Sequence, residues 1–224
     1  MATTLMHQGV YEESRRTFIK SLDIRKRVMG VQSKLVAKTI VDMALCDTKA
    51  QTSKADECLR LYDTALQILR GSGADVRILS YDECAACLVQ KARAHVVLGE
   101  NVGDALPLYE EALIMYTTGA KEFTGYGTER NVIEVEEAGQ EEYCSDIVSV
   151  TLLICDAHEV LGDKNKALQW AEKAVKYQEK CHVSRSLRVP ALMQVAKLLS
   201  KTGNHIKSIA NYDAIFEIIL QDAV

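Results

Sequence analysis

Cysteine and histidine are the residues of this chain best suited to hold a metal or attack a substrate, and their spacing decides whether they do. Cys84 and Cys87 form a Cys-x-x-Cys pair on a predicted helix. One such pair is half of a structural zinc site, which needs four ligands. Cys46 or Cys58 from the neighbouring segment would have to supply the rest, and neither stands at a ligand spacing. The competing reading is that cysteine serves as a small, buriable side chain. His158-Glu159 begins like the HExxH of a zinc protease, but Gly162 stands where the second histidine belongs. His95 and His158 each follow a small residue of their helix by three positions, which marks a packing role. Cys181 and His182 are adjacent, and adjacency does not supply the geometry of an activated thiol. Phosphate loops, dinucleotide fingerprints and nucleophile elbows are lacking. The chain therefore reads as no enzyme, with no metal and no cofactor. A metal or redox role through Cys84 and Cys87 is the weak alternative.

The elements that would position these residues repeat. Residues 161–175, LGDKNKALQWAEKAV, read as the turn and second helix of a helical hairpin. Gly162 ends one helix, since a helix C-terminus favours a residue that accepts positive φ. Ala167, Ala171 and Ala174 follow at helical spacing as a stripe of small residues, against which a second helix can pack closely. Gly203, Ser208, Tyr212 and Ile215 stand at the same offsets, as do Gly9, Ser14, Phe18 and Ser21. Cys58, Tyr62 and Ala65 repeat the pattern without the glycine, and so do Ala105, Tyr109 and Ala112. One unit is written five times. Cys46, Cys58 and Cys155 fall in its small slots.

Helices are predicted over 11–29, 35–48, 55–70, 76–98, 104–116, 146–161, 164–181, 187–202 and 205–220. Ser33 and Asp104 are the expected N-caps, and Pro107 and Pro190 are placed in first turns, where a missing N–H costs little. The first long helix is a second helix with no first helix before it. Residues 117–145 break the rhythm with four glycines and an acidic run over 134–142. One repeat interval is longer there by about 15–20 residues, which fits an inserted loop. The chain is thus expected to be a single all-α repeat domain over 1–224. Its hairpin units are 1–30 (a half unit), 33–72, 76–116, 146–181 and 184–221.

Composition excludes several classes. Apolar residues make up 48% of 224, enough for a sizeable core. Lysine and arginine number 27 against 31 acidic residues, a net charge of −4, so no basic surface invites nucleic acid or membrane. Tyr109, Tyr116, Phe123 and Tyr126 could stack bases, but Glu110, Glu111 and Glu122 stand among them, and packing explains them better. No signal-peptide pattern opens the chain, and the longest apolar run, 147–155, is far short of the roughly 20 residues that span a bilayer. The cysteines, odd in number and irregular in spacing, read as reduced thiols of a cytoplasmic compartment.

The unit Gly-x-Tyr-x-x-small-x-x-x-aromatic-x-x-small resembles the tetratricopeptide pattern. Residues 21–45, SLDIRKRVMGVQSKLVAKTIVDMAL, resemble the longer repeats of kinesin light chains in the order of their Leu-x-Ile-Arg, Val-x-Gly and Val-Ala-Lys-Thr elements. Two departures are visible. Ala171 occupies the aromatic slot of the fourth unit, with Trp170 one residue earlier, and no heptad segment precedes the repeats. The resemblance implies a right-handed superhelical array of antiparallel helix hairpins, about nine main helices, with first helices lining a concave groove. It implies groove positions at Met43 and Asp47, at Val89, Arg93 and Val96, at Leu152, Asp156 and Glu159, and at Met193 and Lys197. Apolar residues and alternating charge there suit a peptide of mixed charge from a partner protein. The lysine–asparagine set of chaperone-tail clamps is missing. The implied function is a cytoplasmic, cytoskeleton-associated scaffold or adaptor. The alternative is a structural module that self-associates as a homo-oligomer or docks through uncapped repeat ends. The acidic run would be able to lie across the groove.

Overall fold

The computed structural model describes residues 1–51, 55–71, 81–99, 101–118, 144–180 and 185–222, and all regular structure among them is helical. Ten helices follow in order: α1 Ala2–His7, α2 Tyr11–Met29, α3 Lys34–Ala50, α4 Ala55–Arg70, α5 Tyr81–Val97, α6 Val102–Thr118, α7 Cys144–Val160, α8 Lys164–Lys180, α9 Arg185–Lys201 and α10 His205–Asp222. Nine are the long helices expected. The tenth, α1, is a short helix ahead of α2, where the sequence reading placed none. It packs on α2 through buried Met6 and through Ser14 Oγ, which donates to Ala2 O at 2.8 Å.

The chain divides into two compact units, residues 1–112 and 113–224. In the first unit α1 packs on α2, α2 on α3, α3 on α4 and α4 on α5, and α3 also meets α5. In the second, α7 packs on α8, α8 on α9 and α9 on α10. Within each unit these helices therefore pair with their neighbours in the chain, as stacked hairpins require.

The turns explain why. Gly9, Gly162 and Gly203 follow α1, α7 and α9 in the same conformation, with φ between 79° and 83°. At each, two bonds close the turn. Asp163 N donates to His158 O at 2.9 Å and Gly162 N to Glu159 O at 3.1 Å; Asn204 N donates to Leu199 O at 2.9 Å and Gly203 N to Ser200 O at 3.1 Å. Val10 and Gly9 repeat the pair on Leu5 and Met6. This double closure satisfies carbonyls that a helix end leaves open. Asp163 then caps α8, its Oδ1 accepting from Lys166 N at 3.1 Å.

The small slots are the core. Ser14, Cys58, Ala105, Ala167 and Ser208 are all buried, and so are their first-helix counterparts Cys46, Ala92, Cys155 and Ala196. Where the slot residue has a donor, it bonds the facing helix: Ser208 Oγ donates to Ala196 O at 2.8 Å, and Cys58 Sγ to Ala44 O at 3.3 Å. Larger side chains fill the layers between, and a fully buried one such as Ile154 contributes about 1.5–3 kcal/mol. Around Cys155, Ala167 and Ala171, the second unit gathers Val195, Leu198 and Leu199, with Trp170 packed against them. Lys173 Nζ stands 3.8 Å from the Trp170 ring centre.

Local capping departs from expectation in one place. Asn101, not Asp104, begins α6: its Oδ1 accepts from Gly103 N at 3.0 Å. Ser33 behaves as expected, its Oγ accepting from Leu35 N at 3.3 Å. Helices α6 and α9 start earlier than their prolines suggested, so Pro107 and Pro190 sit in second turns. The 117–145 insertion, with its acidic run, falls mostly outside the described residues.

Candidate functional site

The first helices of the hairpins carry the candidate positions, and the two units present them differently. In the first unit, Met43 and Val89 are buried. Asp47 is only 1% exposed, and Arg15 Nε of α2 donates to both its carboxylate oxygens, at 2.9 and 3.2 Å. That pair fastens α2 to α3. Arg93 and Val96 on α5 are exposed. Nearby links are polar: Lys34 of α3 pairs with Glu83 of α5 at 3.0 Å, and Lys91 of α5 with Asp63 of α4 at 2.6 Å.

In the second unit the predicted positions come together. Gln194 Nε2 donates to Asp156 Oδ1 at 2.8 Å and to Glu159 Oε2 at 3.1 Å. Lys197 Nζ reaches the same Glu159 oxygen at 3.4 Å, and Lys201 Nζ bonds Glu159 Oε1. Leu152 is half-buried beside them on α7, and Met193 on α9 is 47% exposed. The Lys201 and Lys197 ammonium groups hold the Glu159 carboxyl below its ordinary range. Asp156 is pushed up instead, by desolvation first and by Glu159 second, with Lys197 opposing. The face thus offers one tightly held carboxylate, one less acidic carboxyl, two ammonium groups and a flexible thioether. Sequence reading missed Gln194 and Lys201. Lys201 stands four residues after Lys197, and carrying the stripe one turn further would have included it.

The other candidate chemistry is placed as packing. Cys84 and Cys87 are buried in the first unit, and burial raises their thiols to about 11 and about 12. Cys155 is raised to about 11 for the same reason, and Cys46 and Cys58 are also raised by burial. Such thiols are neutral at ordinary pH, unlike the thiolates that ligate metal or attack. Cys144 is disulfide-bonded, which corrects the reading of every cysteine as a reduced thiol. His158 is buried and His95 half-buried. Among the described residues no three His, Cys, Asp or Glu side chains converge as metal ligands, and no helix is long and apolar enough to cross a membrane.

Residues 1–33 match the family model described as tetratricopeptide repeat. No curated protein matches the chain. Among solved structures, the fold is similar to the nearly identical TPR-like repeats of a putative kinesin light chain from Podosopora anserina, with 15% identity, 99% of this chain and 92% of that one covered, and a TM-score of 0.71. It is also similar to BtubC (BKLC) from P. vanneervenii, again at 15% identity, covering 99% of this chain and 78% of that one, with a TM-score of 0.73. The MamA protein is similar at 9% identity over the whole of this chain and 90% of that one, with a TM-score of 0.60. Hairpin helices with glycine turns and buried small-residue slots, a tetratricopeptide match over residues 1–33 and this likeness over the full length show a tetratricopeptide-like repeat fold, similar to that of kinesin light chain-type repeats.

Proposed function

We propose that this chain is a non-catalytic protein-interaction scaffold that holds an extended or helical peptide of a partner on the first-helix face of its second unit. The observation that carries the reading is the grouping of exposed Met193 with Asp156, Glu159, Lys197 and Lys201 across α7 and α9. A thioether adapts to varied apolar side chains. The flanking ammonium and carboxyl groups fix the direction of a segment of mixed charge. Arg93 and Val96 on the exposed part of α5 give the first unit contact positions of the same kind, with Met43, Asp47 and Val89 beneath the surface.

Selection of displayed peptides on the immobilised protein tests this. Selected peptides are expected to carry an apolar anchor flanked by charge. The double variant Met193→Ala, Lys197→Glu is expected to bind them at least about 10-fold more weakly, a loss of about 1.4 kcal/mol, with unchanged helicity. Equal binding by the variant overturns the site. A cytoplasmic location, associated with the cytoskeleton, is part of the same proposal, and imaging of a fluorescent fusion tests it.

A further inference from the structure

Five of the seven cysteines are buried free thiols: Cys46, Cys58, Cys84, Cys87 and Cys155. Cys144 is disulfide-bonded. A disulfide needs a second cysteine, and Cys181 is the one that remains. Cys181 lies outside the described residues, one position past Lys180, where α8 ends.

The described residues point the same way. Cys144 opens α7 and is buried, and its Sγ stands 4.0 Å from Tyr177 O in the last turn of α8. In a helix each carbonyl is directed along the axis toward the fourth residue on. Four on from Tyr177 is position 181. Count and direction therefore pick one partner independently. Helices α7 and α8 pack on each other and are joined by the Gly162 turn. A bond from the start of α7 to the end of α8 closes that hairpin at the side away from the turn.

We infer that Cys144 and Cys181 are a reversible redox clasp on the α7–α8 hairpin, made and broken by exchange with a low-molecular-weight disulfide of the glutathione class. One thiolate of the pair attacks the small disulfide, forms a mixed disulfide and releases one small thiol. The other cysteine then attacks the bound protein sulfur and releases the second. The pair gives up two electrons and two protons, and the small disulfide is reduced to two thiols. Burial raises the other five thiols, so they do not compete for exchange. A reducing compartment keeps the clasp open and an oxidising one closes it. Closure restricts the unfolded chain between the two cysteines, so the folded-to-unfolded ratio of the second unit is expected to rise about 100-fold or more. This inference does not rest on peptide binding by the α7–α9 face, and either can fail alone.

Peptide mapping of the full chain tests it. Protein incubated with glutathione disulfide, then alkylated and digested without reductant, is expected to yield one linked pair of peptides, carrying Cys144 and Cys181. Reduced glutathione is expected to open it. The oxidised protein is expected to unfold at a higher urea midpoint than the reduced protein. Cys181→Ser is expected to unfold at one midpoint under both conditions. No linked pair, or a pair joining other cysteines, overturns the inference. A bond that reduced glutathione does not open overturns its reversibility, and equal midpoints for oxidised and reduced wild type overturn the clasp.

Discussion

Gly162 has a φ of +83°, and a Cβ built there would meet nothing within 4 Å. Its substitution therefore tests backbone strain alone. Gly162→Ala is expected to cost about 1 kcal/mol, read as a lower urea midpoint with an unchanged slope. The Arg15–Asp47 pair makes a different prediction. Arg15→Ala leaves a buried carboxylate without its guanidinium, whereas Asp47→Asn removes the charge that needed one. The first is expected to cost about 1–3 kcal/mol and the second less, measured by the same unfolding experiment. The thiols give a third. A group raised to about 11 is ionised in about one molecule in ten thousand at neutral pH. Iodoacetamide is expected to modify Cys46, Cys58, Cys84, Cys87 and Cys155 more than about 100-fold more slowly in the native protein than in denaturant, followed by mass spectrometry. At this scale, legibility followed locality. The glycine turns could be read because their chemistry is confined to a few neighbouring residues. The Arg15–Asp47 bond joins residues 32 apart, and no local rule pairs them.

Between elements, the α7–α9 network makes stability depend on pH. Glu159 is more acidic in the folded protein than its ordinary 4.5, so its contribution is complete above that value and is lost as pH falls through the folded one. Asp156 works in the opposite sense, since its folded value lies above its ordinary 3.8 and its effect on stability grows unfavourable as pH rises through it. Glu159→Gln is expected to flatten the acid limb of stability below about pH 4.5, by under about 1 kcal/mol for so accessible a pair. Chemical denaturation across that range measures it, and an unaltered limb would place the slope in other carboxyls. The nine long helices were legible because small and aromatic residues recur at helical spacing, from Cys58 and Tyr62 to Ala105 and Tyr109. Helix starts were less so: Asn101 competes with Asp104 as a cap, and side-chain chemistry alone does not rank them. Tyr212 belongs to the same aromatic slot as Tyr62, yet is 45% exposed. Slot identity is written in the sequence, but coverage depends on whether another helix lies above.

For the molecule as a whole, burial is unevenly distributed. Helices α3 and α7 each bury nine residues, whereas α2 buries three. In repeat proteins local opening follows the contacts each element shares with its neighbours. Hydrogen exchange is therefore expected to be slowest in α3 and α7 and fastest in α1 and α10. The candidate groove was the least legible feature. Its apolar members were named from a stripe on each first helix, and Met43 and Val89 proved to lie within the core, where helix periodicity cannot separate a groove floor from an interior.

Trp170 is the chain's single tryptophan, and it sits against the Cys155–Leu199 cluster with a lysine over its ring. Emission excited at tryptophan wavelengths is therefore a report from one hairpin layer of one unit. Followed beside circular dichroism, which averages over every helix, it separates the melting of that layer from the melting of the rest without a label or a cut in the chain.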